Sequence, residues 1–244
     1  MKILAFDGTA KAASVALAED ERVLASYTVD NGLTQSELLL PMAESVLKSL
    51  KLEFSDVDIF ATSVGPGSFT GVRIGVSLIK GLAFGRQVPC VAISTLEALA
   101  QNLVPLKGIL VSCMDARRNQ VYTATFRCDG KNVTRLCEDR AISLDELASE
   151  LLEYDEPIYL SGDGYSVAKA ALEKAGVKLS ATPPALINEN AESVARVALK
   201  KYLAGEYVSD TELSPTYLRL PQAERERLEK QAGNQQNNKK RKDV

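Results

Sequence analysis

No histidine occurs among the 244 residues of this chain, and that absence removes more chemistry than any motif adds. Ser-His-Asp and Cys-His triads, imidazole general bases and every histidine-ligated metal site are excluded. Any catalysis falls to carboxylates, lysine or a group borrowed from a partner. Cysteine is sparse, and Cys90, Cys113, Cys128 and Cys137 form no Cys-x-x-Cys pair. They read as small buried hydrophobes without a chemical role. No apolar run approaches the roughly 20 residues that cross a bilayer, and strand sequence begins at Lys2 with no charged-then-apolar leader before it. The expected location is cytoplasmic. Excess positive charge is missing too: 29 Lys and Arg against 32 Asp and Glu give a net charge of -3. That balance weighs against a protein that grips RNA or DNA by itself, while leaving room for a local basic patch.

With 45% hydrophobic residues, the chain is long enough for two small domains or one large one with a substantial core. One stretch organises it. The apolar run Val57 to Val64 has strand character, Gly65-Pro66-Gly67 reads as a tight turn, and Ser68 is the expected N-cap of a helix reaching Gly85. Glycines recur in that helix as Gly71 with Gly75 and Gly81 with Gly85, although each interior glycine costs about 1 kcal/mol against alanine. Close approach by another helix or the sheet is the expected reason, with Phe69, Val72, Val76 and Lys80 pointing elsewhere. A phosphate cradle at the helix N-terminus is the competing reading. It lacks the Gly-Lys-Ser/Thr of a P-loop, and Thr70 stands where a Rossmann fingerprint has its third glycine.

In chain order, Lys2 to Thr9, Ala13 to Ala18 and Arg22 to Val29 read as a three-stranded antiparallel meander. A helix follows over Leu33 to Leu50, with a capping box in Thr34-Gln35-Ser36-Glu37 and Pro41 expected to kink its first turns. Then come the Val57 strand, the glycine helix, a strand over Pro89 to Ile93 and a helix from Ser94 to Leu103. Meander, helix, strand, helix, strand is the order of the ribonuclease H-like half-domain of actin-like ATPases. A second, smaller and diverged start follows, in strands Gly108 to Asp115, Gln120 to Phe126 and about Asn132 to Cys137. Helices are expected near Ser143 to Leu152, Tyr165 to Ala175 and Ala191 to Leu203. The α/β fold is therefore expected as two ribonuclease H-like halves, 1–103 and 104–222, joined near Leu103 to Lys107. Residues 223–244 are polar and expected to fray into disorder, and the terminal Lys239 to Lys242 cluster reads as a solvated face or an RNA contact.

Five pieces together carry a resemblance: Asp7-Gly8-Thr9, the run Gly65 to Gly75, Asp115 to Tyr122, Gly162-Asp163-Gly164 and Pro215-Thr216-Tyr217-Leu218-Arg219. From Met1 to about Pro221 the chain resembles the TsaB (YeaZ) family. The resemblance implies a non-catalytic subunit that pairs with its catalytic paralogue TsaD and with the ATPase TsaE. Together they transfer threonylcarbamoyl from threonylcarbamoyl-AMP to N6 of the adenosine beside the anticodon of tRNAs. It implies no cofactor, tRNA contact only through the complex, and no membrane. The catalytic paralogue binds a metal through His-x-x-x-His; the matching positions here are Thr95 and Leu99, and neither replaces imidazole. Asp7, Gly8, Thr9, Asp115, Gly162 and Gly164 are then vestigial nucleotide-site positions. Arg117 stands where an ATPase of this superfamily carries the glycine of its second phosphate loop, either obstructing phosphate or attracting it.

With the chemistry missing, function is expected in surfaces. The Leu33 to Leu50 and Ser68 to Gly85 helices are expected to present Leu38, Leu39, Met42, Val46, Phe69, Val72, Arg73 and Val76 to the equivalent helices of the paralogue, as a pseudo-symmetric four-helix interface. The competing expectation is that half of these face their own sheet. The same face would support a homodimer when the subunit is alone. Relatives commonly carry histidine where this chain has Gln35, so either no ionisable group is required there or the position makes a lineage-specific partner contact. The alternative function is an active ATPase or phosphotransferase with Asp7 anchoring a metal and Thr9 and Gly164 near the phosphates. A zinc peptidase is discounted for want of histidine ligands.

Overall fold

Strand β1 (Lys2–Asp7) is apolar on both faces, and the architecture follows from where those faces go. In the computed structural model, which describes residues 1–104 and 106–219, Leu4 and Phe6 enter one core and Ile3 and Ala5 enter another. That is the alternation of a strand covered on both sides. The first core lies under α1 (Gln35–Ser49) and α2 (Phe69–Ala83), the second under α6 (Ala191–Leu203).

Strands β2 (Ala13–Glu19) and β3 (Arg22–Val29) continue from β1 as antiparallel neighbours, while β4 (Ile59–Gly65) and β5 (Cys90–Ser94) add in parallel on its other side. The sheet order β3-β2-β1-β4-β5 is the ribonuclease H-like arrangement expected from the element order. Helix α3 (Thr95–Asn102) then packs against α6 and leans on the second sheet. That sheet pairs β6 (Gly108–Asp115) with β7 (Gln120–Cys128), whose two ends take β8 (Val133–Arg135) and β9 (Arg140–Ser143). Strand β10 (Ile158–Ser161) runs parallel to β6, so the second sheet repeats the pattern of β1 to β4. Its fifth strand, β9, sits beside β8 along β7, and no counterpart of β5 lies beyond β10 among the described residues. Helices α4 (Leu144–Leu151) and α5 (Tyr165–Lys174) cover its third core. The fold is thus two actin-like halves, the second diverged in its strand order.

Local signals agree with their elements. Thr34 N donates to Glu37 Oε2 at 2.9 Å, Gly71 N to Ser68 Oγ at 3.2 Å and Glu97 N to Ser94 Oγ at 3.2 Å, closing three helix N-termini. Helix α1 runs unbroken through Pro41, whose ring is exposed on its outer side. No described helix is long and apolar enough to cross a membrane. The end of the second half at 222, the 223–244 tail and the Lys239 to Lys242 cluster lie outside the described residues.

Candidate functional site

The loop after β1 sits beneath the N-terminus of α2, and the side chains of Asp7 and Thr9 in it are already engaged. Asp7 is 1% exposed. Its Oδ1 accepts from Thr9 N at 2.9 Å and Thr9 Oγ1 at 2.8 Å, and its Oδ2 accepts from Ser63 Oγ at 2.5 Å. Burial pushes its carboxyl above the usual range, against the opposing pull of the Ser63 and Thr9 bonds. Ser68 N donates to Thr9 O at 2.7 Å. A methyl at Gly71 would stand 1.9 Å from Gly8 O, and one at Gly75 would stand 2.9 Å from Thr62 Oγ1. These glycines let α2 lie directly on the loop and on β4. Gly81 and Gly85 have nothing within 4 Å of where a methyl would sit, so the second pair has no such neighbour among the described residues.

Gly162 and Gly164 have a similar reason. Methyls there would stand 2.1 and 2.9 Å from Cys113 O at the end of β6, and Gly164 N donates to that oxygen at 3.0 Å. Between the two loops lies a buried carboxyl that no sequence pattern marked. Glu189 is 6% exposed and its Oε1 accepts from Asp163 N at 3.1 Å. Burial first, then the negative charges of Asp7 and Asp163, push it up to about 8. It lies in the irregular stretch just before α6, where periodicity carries no signal. Asp115 N donates to Asp163 Oδ1 at 2.9 Å, and Arg117 N to Asp115 Oδ1 at 2.7 Å. Burial, followed by the Asp115 charge, also raises the Asp163 carboxyl.

Above this floor opens a cleft of about 760 Å³, lined among others by Thr9, Lys11, Ser68, Asp115, Asp163 and Arg219. Of the expected nucleotide-site positions, Thr9 and Asp115 line it; Asp7, Gly8, Gly162 and Gly164 lie behind its wall. Among the described residues, no three His, Cys, Asp or Glu side chains are grouped to hold a metal ion. Thr95 and Leu99 do not fit one either. They are 0% and 1% exposed on α3, with Leu99 in an apolar cluster. The Thr95 hydroxyl has no hydrogen-bond partner among the described residues.

The expected interface side chains are corrected at six of eight positions. Leu38, Leu39, Met42, Val46, Val72 and Val76 lie in the core shared with β1 and β4, because the inward stripe of each helix is broad enough to take in neighbouring ridges. Phe69 is half-buried and Arg73 exposed. The outer face of the α1–α2 pair instead carries Leu40, Thr70, Arg73, Ser77 and Gly81, flanked by half-buried Ile74 and Leu78. Gln35 is buried beside Gly8, and its Nε2 donates to Ala10 O at 2.7 Å. An inward amide there holds the loop after β1.

Comparison with known proteins bears on this geometry. The family described as TsaD, tRNA N6-adenosine threonylcarbamoyltransferase, matches residues 34–227. The tRNA threonylcarbamoyladenosine biosynthesis protein TsaB of Bacillus subtilis is 32% identical over 95% of this chain and 100% of that relative. The TsaB of Escherichia coli is 30% identical over 90% of this chain and 95% of its own length. Among solved structures, YeaZ from Pseudomonas aeruginosa superposes with a TM-score of 0.73 at 27% identity, covering 89% of this chain and 99% of that one. A Pseudomonas aeruginosa protein described as similar to peptidase YeaZ reaches 0.77 at 28% identity, with the same coverage.

Proposed function

The chain belongs to the TsaB (YeaZ) family, and on that premise we propose that it is a non-catalytic subunit that pairs with a TsaD-type catalytic paralogue. In this reading, with a TsaE-type ATPase, the pair transfers threonylcarbamoyl from threonylcarbamoyl-AMP to N6 of the adenosine beside the anticodon. The chain meets tRNA only within that complex, in the cytoplasm. The observation that carries the reading is the filled loop after β1. Asp7 and Thr9 spend their donors and acceptors on each other, on Ser63 and on Ser68, and α2 lies against Gly8. A phosphate or its metal would need those groups free.

The division into halves 1–103 and 104–222 is kept, supported by the separation of β1–β5 from β6–β10 into two sheets. The partner face we assign is the outer side of α1 and α2, with Leu40, Arg73, Ile74 and Ser77 as its working side chains; alone, the subunit would pair with a copy of itself there. Two features support it. Ser77 and Gly81 are small and exposed, and Gly81 has open space where its side chain would be. Helices cross closely where such residues face outward. Glutamate at Val72 or Val76 would unfold the core and test nothing. The test is Ile74→Glu and Ser77→Glu, assayed by co-purification with the catalytic paralogue and by sedimentation. Loss of the heterodimer with an unchanged melting temperature is expected; an intact heterodimer refutes the face. Micromolar Mg-ATP binding with hydrolysis by the isolated chain would favour the ATPase instead.

A further inference from the structure

Residues 214–219, following the buried anchor Leu213, form a strap joining the proposed partner face to the opposite wall of the cleft. Lys80 Nζ donates to Thr211 O and Leu213 O at 3.0 and 2.9 Å, holding the approach to the strap against the far end of α2. Thr216 N donates to Val64 O at 2.8 Å, and Thr216 O lies 2.6 Å from where a Gly65 methyl would sit. Tyr217 then stacks on Phe69 with centroids 4.9 Å apart. Arg73 Cζ rides 3.9 Å above the Phe69 ring, and its Nε donates to Tyr217 Oη at 2.8 Å. Two residues later the chain is on the second sheet. Arg219 Nη2 donates to Gln120 Oε1 at 2.6 Å, Nη1 to Ala116 O at 3.3 Å, and the guanidinium lies 5.4 Å from the Tyr122 ring. Tyr217 and Arg219 are two residues apart, so their backbones lie within about 7 Å of each other, and the chain bends at Leu218 and Arg219 between the two anchors.

We propose that this strap couples docking on the outer face of α2 to the width of the cleft. The inference rests on the pairing reading for its partner. Arg73 and Tyr217 are both exposed, so their bond competes with water in the lone chain. A partner laid over Phe69, Arg73 and Tyr217 excludes that water and strengthens the bond. Holding Tyr217 in place keeps Arg219 on Gln120 and the cleft narrow. By reciprocity, freeing Arg219 weakens docking on a face it does not touch.

The test is hydrogen exchange of the amides that close the 116–120 turn, where Ala116 N donates to Gln120 O and Gln120 N to Arg117 O. In the lone chain, Arg73→Ala is expected to speed exchange there about five-fold, while Ser77→Ala, exposed on the same helix face and outside the cleft lining, changes nothing. Unchanged turn exchange in Arg73→Ala overturns the strap. With the catalytic paralogue added, protection of the turn rises in the wild type. In Arg219→Ala that rise is lost and affinity falls by about five-fold. Docking that leaves the turn unaltered overturns the coupling. Failure of the wild type to dock overturns the pairing reading, an outcome the lone-chain exchange separates from failure of the strap.

Discussion

Gly81→Ala and Gly71→Ala should move in opposite directions, although both are glycines of α2. Gly81 is exposed, carries ordinary helical backbone and has nothing within 4 Å of a new methyl. Removing a helical glycine stabilises by up to about 1 kcal/mol, and less near a helix end. For a chain of this size, 1 kcal/mol corresponds to about 2–4 °C in melting temperature. The lone Gly81→Ala chain should therefore melt about 1–3 °C higher. At Gly71 the methyl would stand 1.9 Å from Gly8 O, a backbone atom. Helix α2 would have to lift by more than an ångström, loosening the Ser68 to Thr9 bond, and overpacking of this kind outweighs the propensity gain by about 1–3 kcal/mol. Scanning calorimetry reads both. A Gly81→Ala chain that melts lower, or a Gly71→Ala chain that melts like the wild type, refutes the packing argument. Gly81→Ala also separates stability from pairing: it should weaken the heterodimer by about five-fold or more while stabilising the monomer.

Three further outcomes follow from buried groups. Glu189, raised from 4.5 to about 8, favours the folded state while protonated. The stability it supports is full below its unfolded value and is lost as pH rises, by up to about 1.4 kcal/mol per pH unit until pH passes about 8. Urea titrations at pH 5, 6.5 and 8 should show wild type losing ground against Glu189→Gln, and parallel profiles would contradict the buried carboxyl. Thr95→Val removes a buried hydroxyl that lacks a partner among the described residues, and should stabilise by about 1 kcal/mol in a thermal melt; destabilisation would mean that hydroxyl is bonded. Among the thiols, Cys137 alone is part-exposed, whereas burial pushes Cys90 to about 11 and Cys113 to about 12. Native alkylation followed by mass mapping should find Cys137 modified first, and equal labelling of Cys113 would contradict the core.

The elements were legible where a local signal fixed them. Ser68, Ser94 and the Thr34 box announced their helices, and β1 with its turns announced the meander. Strand β9 was missed because four half-buried residues carry no alternation, and β10 because four residues between Pro157 and Gly162 are too short for periodicity to register. Facing was harder. Leu38, Val46, Val72 and Val76 looked available because one helix shows only its apolar ridge, not how much of that ridge its own sheet takes. Glu189 and the Arg219 anchor are products of tertiary contact, with partners 26 and 99 residues away, so no window along the chain contains them.

The function proposed above holds that this chain performs no transfer of its own, a reading supported by the engagement of the Asp7 and Thr9 side chains below α2 within the protein itself. Assaying the purified chain for threonylcarbamoyladenosine in tRNA, with threonylcarbamoyl-AMP supplied and the catalytic paralogue withheld or added, tests it directly. No product without the paralogue, and product that depends on this chain when the paralogue is present, is the predicted result. Product from the chain alone would contradict it.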